Sequence, residues 1–274
     1  MKAVSRSQEL WVCHLGIVPY ITGIAIQERL RSLRHADELP DTLLLLEHPP
    51  TYTRGRRSGA EDLPFGEGFY AAKGIELHAT DRGGKLTYHA PGQLVGYPIM
   101  AVSDVGHHVR TIERAIIDAL AGIGIPARSR SEEGADYTGV WVEERKIASI
   151  GVHVARGVAT HGFAVNVDND LEPFSWVVAC GLPDVAMTSI AAESARGARA
   201  CEGLDCFRRR IAHAFAQAHS RRQRLVAPHR LGIATTNASP RAGRRAPIET
   251  ISSPIGEHTP ASMSTRPITA GAGR

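Results

Sequence analysis

Three strand-like segments in close succession constrain this fold more than any other feature of the chain. Gly139 to Glu143, Lys146 to Val154 and Val158 to Val167 carry β-branched and small apolar residues separated only by Glu144-Arg145 and Ala155-Arg156-Gly157. Links this short join antiparallel neighbours, because a parallel crossover needs a dozen or more residues. A strictly alternating βαβ chain is excluded. The expected class is α/β (α+β): a mixed, largely antiparallel sheet packed with helices.

The rest of the chain supplies the helices and further strands. Leu10 to Leu15 reads as a strand, and Pro19 to Arg34 as a helix with Tyr20, Ile24, Gln27 and Leu30 along one side. Thr42 to Glu47 reads as a buried strand ended by Pro49-Pro50. A charged, glycine-rich stretch from Thr53 to Gly74 precedes strand candidates at Ile75 to Ala79 and Gln93 to Met100. Val109, Ile112, Ile116 and Leu120 recur at helical spacing, as do Phe207, Ile211, Phe215 and Ala218, so helices are expected over Val109 to Ala121 and Leu204 to Arg224.

Two domains of different character follow: a folded one over residues 1–225 and a tail over 226–274. The tail holds six of the sixteen prolines and no Phe, Trp or Tyr, so it cannot offset its ordering entropy by burying apolar surface and is expected to be disordered. It also holds the whole net charge of +4, as six arginines against two glutamates; the remainder balances. The basic character therefore gives little support to a nucleic-acid-binding fold. The richest apolar run, Leu43-Leu44-Leu45-Leu46, stops at Glu47, far short of the roughly 18 residues of a spanning helix. No membrane association is expected. Polar residues from Ser5 to Glu9 also interrupt any secretory signal, and a cytoplasmic protein with reduced thiols is the expectation. Cys13, Cys180, Cys201 and Cys206 form no Cys-x-x-Cys pair, so no metal site is expected.

Chemistry-bearing residues concentrate in a few places. Asp81-Arg82-Gly83-Gly84-Lys85-Leu86-Thr87-Tyr88-His89-Ala90-Pro91-Gly92-Gln93 packs glycines, donors and a histidine into a short span. Paired glycines let a backbone approach a ligand, although a glycine-rich hairpin accounts for the segment equally well. It matches neither the P-loop nor the dinucleotide fingerprint. Only Lys2, Lys73, Lys85 and Lys146 are lysines. Lys146 heads what reads as a strand interior, where arginine could not replace it as an acid or base; a solvated hairpin lysine beside Arg145 stays open. Cys180 precedes the turn Gly181-Leu182-Pro183, where free backbone N–H groups could stabilise an oxyanion, whereas burial as a small hydrophobe is the commoner fate of a lone cysteine. His161 reads as a strand histidine or a ligand donor, and Arg54, Arg56 and Arg57 as a solvated loop that could receive an acidic partner.

In chain order from about Leu10 to Ile211, these segments closely resemble the lipoyl(octanoyl) transferases of the lipoate–biotin ligase superfamily. The resemblance is carried by Leu45-Leu46-Glu47-His48-Pro49, Arg82-Gly83-Gly84 to Thr87-Tyr88-His89, and Pro91-Gly92-Gln93 with Tyr97. It continues through Tyr137-Thr138-Gly139-Val140-Trp141, Arg145-Lys146-Ile147-Ala148, His161-Gly162 and Ala179-Cys180-Gly181. Ala90 stands where many relatives have glycine and His153 where arginine is usual. The resemblance implies an acyltransferase that moves an octanoyl or lipoyl group from acyl carrier protein to a specific lysine of lipoyl domains. Those domains belong to the E2 subunits of 2-oxoacid dehydrogenases and the glycine cleavage H protein. Cys180 would carry the acyl group as a thioester and Lys146 would be its acid/base partner. The acyl site would be lined by Arg82, Gly83, Gly84, Lys85, Leu86, Thr87, Tyr88 and His89, by Ser149, Ile150 and Gly151, and by Gly162, Phe163 and Ala164. No ATP, metal or other cofactor is implied. The rivals are an ATP-dependent lipoate or biotin protein ligase, a Cys-dependent thioesterase, and a non-catalytic acyl- or nucleic-acid-binding protein that uses the tail.

Overall fold

The computed structural model describes residues 8–182, 185–196 and 203–234, and of Cys180 the backbone alone. Contacts divide the chain into Met1–Asn237 and Ala238–Arg274; the second unit, and most of the expected tail, lie outside the described residues.

The first unit is built on an eight-stranded sheet. Its strands are β1 (Glu9–Ile17), β2 (Asp41–Glu47), β6 (Gln93–Ile99), β7 (Arg128–Ser129), β8 (Gly139–Val142), β9 (Arg145–Ala155), β10 (Val158–Asn166) and β11 (Arg222–Leu225). They lie in the order β11-β1-β2-β6-β10-β9-β8-β7. Only β11-β1-β2 run parallel; the other neighbours are antiparallel, as the short links require. The β9–β10 turn is Arg156-Gly157, both at positive φ, between paired Ala155 and Val158, the turn geometry that matches strand twist. The β8–β9 link is Glu143-Glu144, one residue earlier than expected.

Strand β2 lies between β1 and β6 and is buried on both faces, so it shows a continuous apolar run in place of alternation. Its leucines still divide by parity. Leu43 and Leu45 join one core, and Leu44 and Leu46 the other. On the first face pack α3 (Val105–Ala121) and α5 (Leu204–Ala218), burying Ile112, Ile116, Leu120, Phe207, Ile211 and Phe215. Helix α3 begins at Val105, a turn before the expected Val109, because the Asp104 side chain caps it by accepting from the His107 N–H at 2.9 Å. On the second face pack α1 (Tyr20–His35) and, farther along the sheet, a small sheet.

That small sheet is the main feature that the sequence expectation left incomplete. It comprises β3 (Thr51–Arg54), β4 (Glu76–Ala79) and β5 (Thr87–His89) in the order β4-β3-β5. With α2 (Glu67–Ala72) it encloses a third core around Tyr52, Tyr70, Tyr88 and Phe174. β4 matches the strand expected at Ile75 to Ala79, whereas β3 and β5, of three or four residues made largely of Thr, Tyr and His, carry too little apolar alternation to be read from sequence. The short helix α4 (Ile190–Ala195) completes the described elements.

The folded chain also continues past residue 225. Helix α5 ends at Ala218, and β11 adds an exposed edge strand beside β1. Val226, buried, donates its N–H to Val12 O at 2.9 Å, and buried Leu231 accepts from Arg29 through its carbonyl. Two apolar anchors among arginines were too sparse a signal for a boundary. Cys206 is disulfide-bonded, which corrects the expectation of reduced thiols throughout, while Cys13 is free and buried. No helix among the described residues is long and apolar enough to cross a membrane.

Candidate active site

The second face of the large sheet, the N-terminus of α1 and the small sheet enclose a cleft of about 590 Å³, counted to its open mouth. β6 contributes Val95 and Tyr97, α1 contributes Tyr20, and β5 contributes Thr87 and His89. The roof is the loop 82–86, which crosses from the small sheet to the large one: Gly83 N–H donates to Val152 O at 3.0 Å. A methyl group at Gly151 would stand 2.7 Å from Gly83 O, so only glycine lets the two backbones meet here. Arg82, buried, ties the same loop down by donating to Thr53 O at 2.6 Å and Thr53 Oγ1 at 2.9 Å.

Lys146 reaches the cleft from β9 and is 1% exposed. Its backbone is held on both sides, donating to Ala186 O at 2.9 Å and accepting from Thr188 N–H at 3.0 Å. Its ammonium lies 5.2 Å from the centre of the buried Trp141 ring, and among the described residues no carboxylate pairs with it. Room for the stem comes from Gly139, where a methyl group would be 2.7 Å from Lys146 Cε. The solvated-hairpin alternative is thereby set aside. Arg145, its neighbour, faces the other way and pairs with Glu193 at 3.1 Å and Glu143 at 2.7 Å.

Behind the Tyr97 and His89 of the cleft lining lies a buried polar network. Val18 O can only accept, so His48 Nδ1 carries the proton at 2.6 Å and Nε2 accepts from the Tyr97 hydroxyl at 2.6 Å. Burial pushes His48 down to about 4, against a smaller upward pull from Val18 O. Gln93 donates through Nε2 to Tyr88 O and Asn166 Oδ1, leaving Oε1 to accept from His89 Nδ1 at 2.8 Å. Burial, with His48 nearby, holds His89 well below the usual histidine range. At the outer edge, His161 Nε2 meets Asp81 Oδ1 at 2.7 Å. Burial lowers His161 despite that bond, and Asp81 stays below the carboxylate norm because His161 and His153 outweigh its own desolvation. Among the described residues no group of three His, Cys, Asp or Glu side chains could hold a metal ion.

Family-model matching then decides the affiliation: residues 19–215 match the lipoyl protein ligase A/B catalytic domain. The chain belongs to that family. An octanoyltransferase of Solibacter usitatus is 47% identical over 186 residues, covering 66% of this chain and 82% of the relative. One of Chloroflexus aurantiacus is 42% identical, covering 76% and 94%. A mitochondrial octanoyltransferase of Arabidopsis thaliana is 41% identical, covering 69% and 80%. Among solved structures, a lipoate-protein ligase A bound with ATP superposes with a TM-score of 0.66 at 19% identity, covering 80% of this chain and 89% of that one. A bi-partite lipoate protein ligase from Thermoplasma acidophilum gives 0.60 at 20%, covering 80% and 87%. These two show the ligase A/B fold, and the resemblance read from the sequence is borne out.

Within this family fold, the candidate residues are brought together, except that Tyr88 and Gly83 lie outside the cleft lining and the Cys180 side chain lies outside what is described. Arg82, Gly84, Lys85, Leu86, Thr87 and His89 line the cleft from the roof and β5; Lys146, Ser149, Ile150 and Gly151 line it from β9; Gly162, Phe163 and Ala164 line it from β10. Tyr88 does not, because strand alternation turns it away from Thr87 and His89 into the small sheet's own core. Gly83 faces an adjoining groove instead. Cys180 is described only as backbone in a short 3-10 turn, Ala179–Gly181. That turn borders the cleft, since Lys85 lies against Gly181. The N–H groups of Gly181 and Leu182 are taken by Val178 O and Ala179 O, so the expected free oxyanion donors after Cys180 are not there. Cys13 sits in the second-face core with its thiol pushed up to about 12 by burial, as an inert residue would. Tyr20 and Asp136 line the cleft without any sequence signal that pointed to them.

Proposed function

We propose that this chain is an octanoyltransferase of protein lipoylation, which moves an octanoyl group from acyl carrier protein to the acceptor lysine of a lipoyl domain. Its relatives bear that name at 41–47% identity over most of their length. The observation that carries the chemistry is Lys146, buried against Trp141 and, among the described residues, without a carboxylate partner, in a cleft bordered by the turn of Cys180. Lipoyl domains of 2-oxoacid dehydrogenase E2 subunits and of the glycine cleavage H protein are the acceptors in this reading, and the cytoplasm its location.

Cys180 attacks the donor thioester as thiolate; the S–acyl bond to pantetheine breaks, and the departing thiolate takes a proton from the Lys146 ammonium. Lys146, now neutral, takes a proton from the acceptor lysine's ammonium. The freed amine attacks the Cys180 thioester, an amide forms, Cys180 leaves as thiolate, and the second amine proton passes to water. Thioester exchange is nearly balanced and amide formation runs downhill, so the cycle needs no nucleotide.

Intact-protein mass after mixing enzyme with octanoyl-acyl carrier protein, without ATP, tests this. We expect an octanoyl adduct in wild type, its absence in Cys180→Ala, and its passage to added apo-lipoyl domain. Acceptor modification only with ATP and free octanoate would make the protein a ligase, and release of free octanoate without acceptor a thioesterase.

A further inference from the structure

The proposed cycle asks an amine beside Cys180 for two things in turn. A resting thiolate needs a permanent positive charge next to it, whereas taking the acceptor's proton needs a neutral amine. Lys146 passes from the first state to the second during the cycle, and once it is neutral a second cation would go on stabilising the thioester oxygen and the departing Cys180 thiolate.

Lys85 is placed for the first duty. Half-buried on the cleft roof, it lies along Gly181, where a methyl group would stand 2.5 Å from Nζ and 2.7 Å from Cε. The ammonium is therefore within about 4 Å of the Gly181 Cα, in the residue that follows Cys180. Gly181 is at φ +72, a backbone state that, with the missing side chain, leaves this seat open. Other charges on the cleft are engaged: Arg57 with Asp136 at 2.8 Å, His161 with Asp81, and Arg82 with Thr53. His89 is held uncharged by burial. Among the described residues no carboxylate pairs with Lys85, and the N–H groups of Gly181 and Leu182 are already bonded within the turn.

We infer that Lys85 is a positioning residue for the nucleophile: a standing ammonium that keeps Cys180 as its thiolate and follows the negative charge onto the thioester oxygen. Lys146 is then left to carry the proton. The inference rests on the proposed function. Lys85 keeps its own proton throughout, so the atom and charge balance of both half-reactions is unchanged. Two lysines thus have different requirements: charge alone at Lys85, proton exchange at Lys146.

The test measures, in the full chain, iodoacetamide alkylation of Cys180 against pH and the acylation rate with octanoyl-acyl carrier protein, for wild type, Lys85→Gln, Lys85→Arg and Lys146→Arg. Lys85→Gln should move the alkylation midpoint up by about one pH unit and slow acylation at pH 7 by up to about fivefold, with KM for the donor within twofold. Lys85→Arg should recover most of both, whereas Lys146→Arg should not recover turnover. An unshifted midpoint in Lys85→Gln, or a raised donor KM with acylation preserved, overturns the inference and makes Lys85 a donor-binding residue. If wild type forms no adduct on Cys180, the proposed function itself falls, and the inference with it.

Discussion

The two faces of the eight-stranded sheet use the same strands for opposite purposes. Toward α3 and α5 the inward residues are Leu, Val, Ile, Phe and Ala, closed by Phe207, Ile211 and Phe215. Toward α1 and the small sheet the same strands present Tyr97, Lys146 and His161 around a cleft. A dry, fully packed face lets the opposite face hold polar groups at fixed positions, because the backbone between them cannot yield. On the polar face burial holds His48 and His89 uncharged, while hydrogen bonds fix their rings, and Lys146 is buried beside them.

This division makes predictions that differ by face. The largest effect belongs to the cleft: Lys146→Arg should lower turnover by about 10³-fold, roughly 4 kcal/mol of transition-state stabilisation, while a urea melt shifts little. Near-normal turnover would break the assignment of proton transfer to this face. Next, Phe207→Ala on the dry face should cost about 3–5 kcal/mol of stability through its cavity, with kcat of the folded fraction within a few-fold, as paired denaturation and activity assays would show. A comparable loss of kcat would mean that the faces are not separable.

A third prediction concerns pH. His48 is held neutral down to about 4, against 6.5 for an ordinary histidine. Between those values the unfolded chain binds the extra proton, so stability rises with pH across the window and falls on acidification, by about 3 kcal/mol over its full span. Urea melts at pH 7 and pH 4.5 should show this slope, and His48→Gln should lessen it, the rest coming from His89, His108, His161 and His219, which burial lowers in the same direction. The smallest effect lies at the rim. Arg56 is exposed and, among the described residues, without a carboxylate partner, unlike Arg57, Arg145 and Arg54, which meet Asp136, Glu193 and Glu67. Arg56→Glu should raise KM for octanoyl-acyl carrier protein a few-fold at low salt and not at high salt. A salt-independent KM would remove the rim from donor docking.

What could be read from the residues followed the length of the periodic signal. β9, β10, α3 and α5 were legible because hydrophobic repetition over nine or more residues leaves one solution. β3 and β5 were not, and the inward pair Thr87 and His89 could not be told from outward Tyr88 without knowing that the segment is a strand. The oxyanion expectation failed for a similar reason: a turn after Cys180 was visible, but whether its N–H groups were free depended on the 3-10 hydrogen bonds. Lys85 was legible as a rare lysine in a glycine-rich loop, and its seat on Gly181 was not.

The sequence by itself determined the mixed sheet, the two helices of the dry face and the family, because short hairpin links, apolar periods and colinear motifs are local properties of the chain. Only the tertiary structure decided that Lys146 is buried on a ring face, that the loop 82–86 roofs the cleft through Gly83 and Gly151, and that Lys85 borders the turn of Cys180. Each of these joins segments dozens of residues apart, and such contacts are set by how sheets pack face to face, which no local pattern encodes.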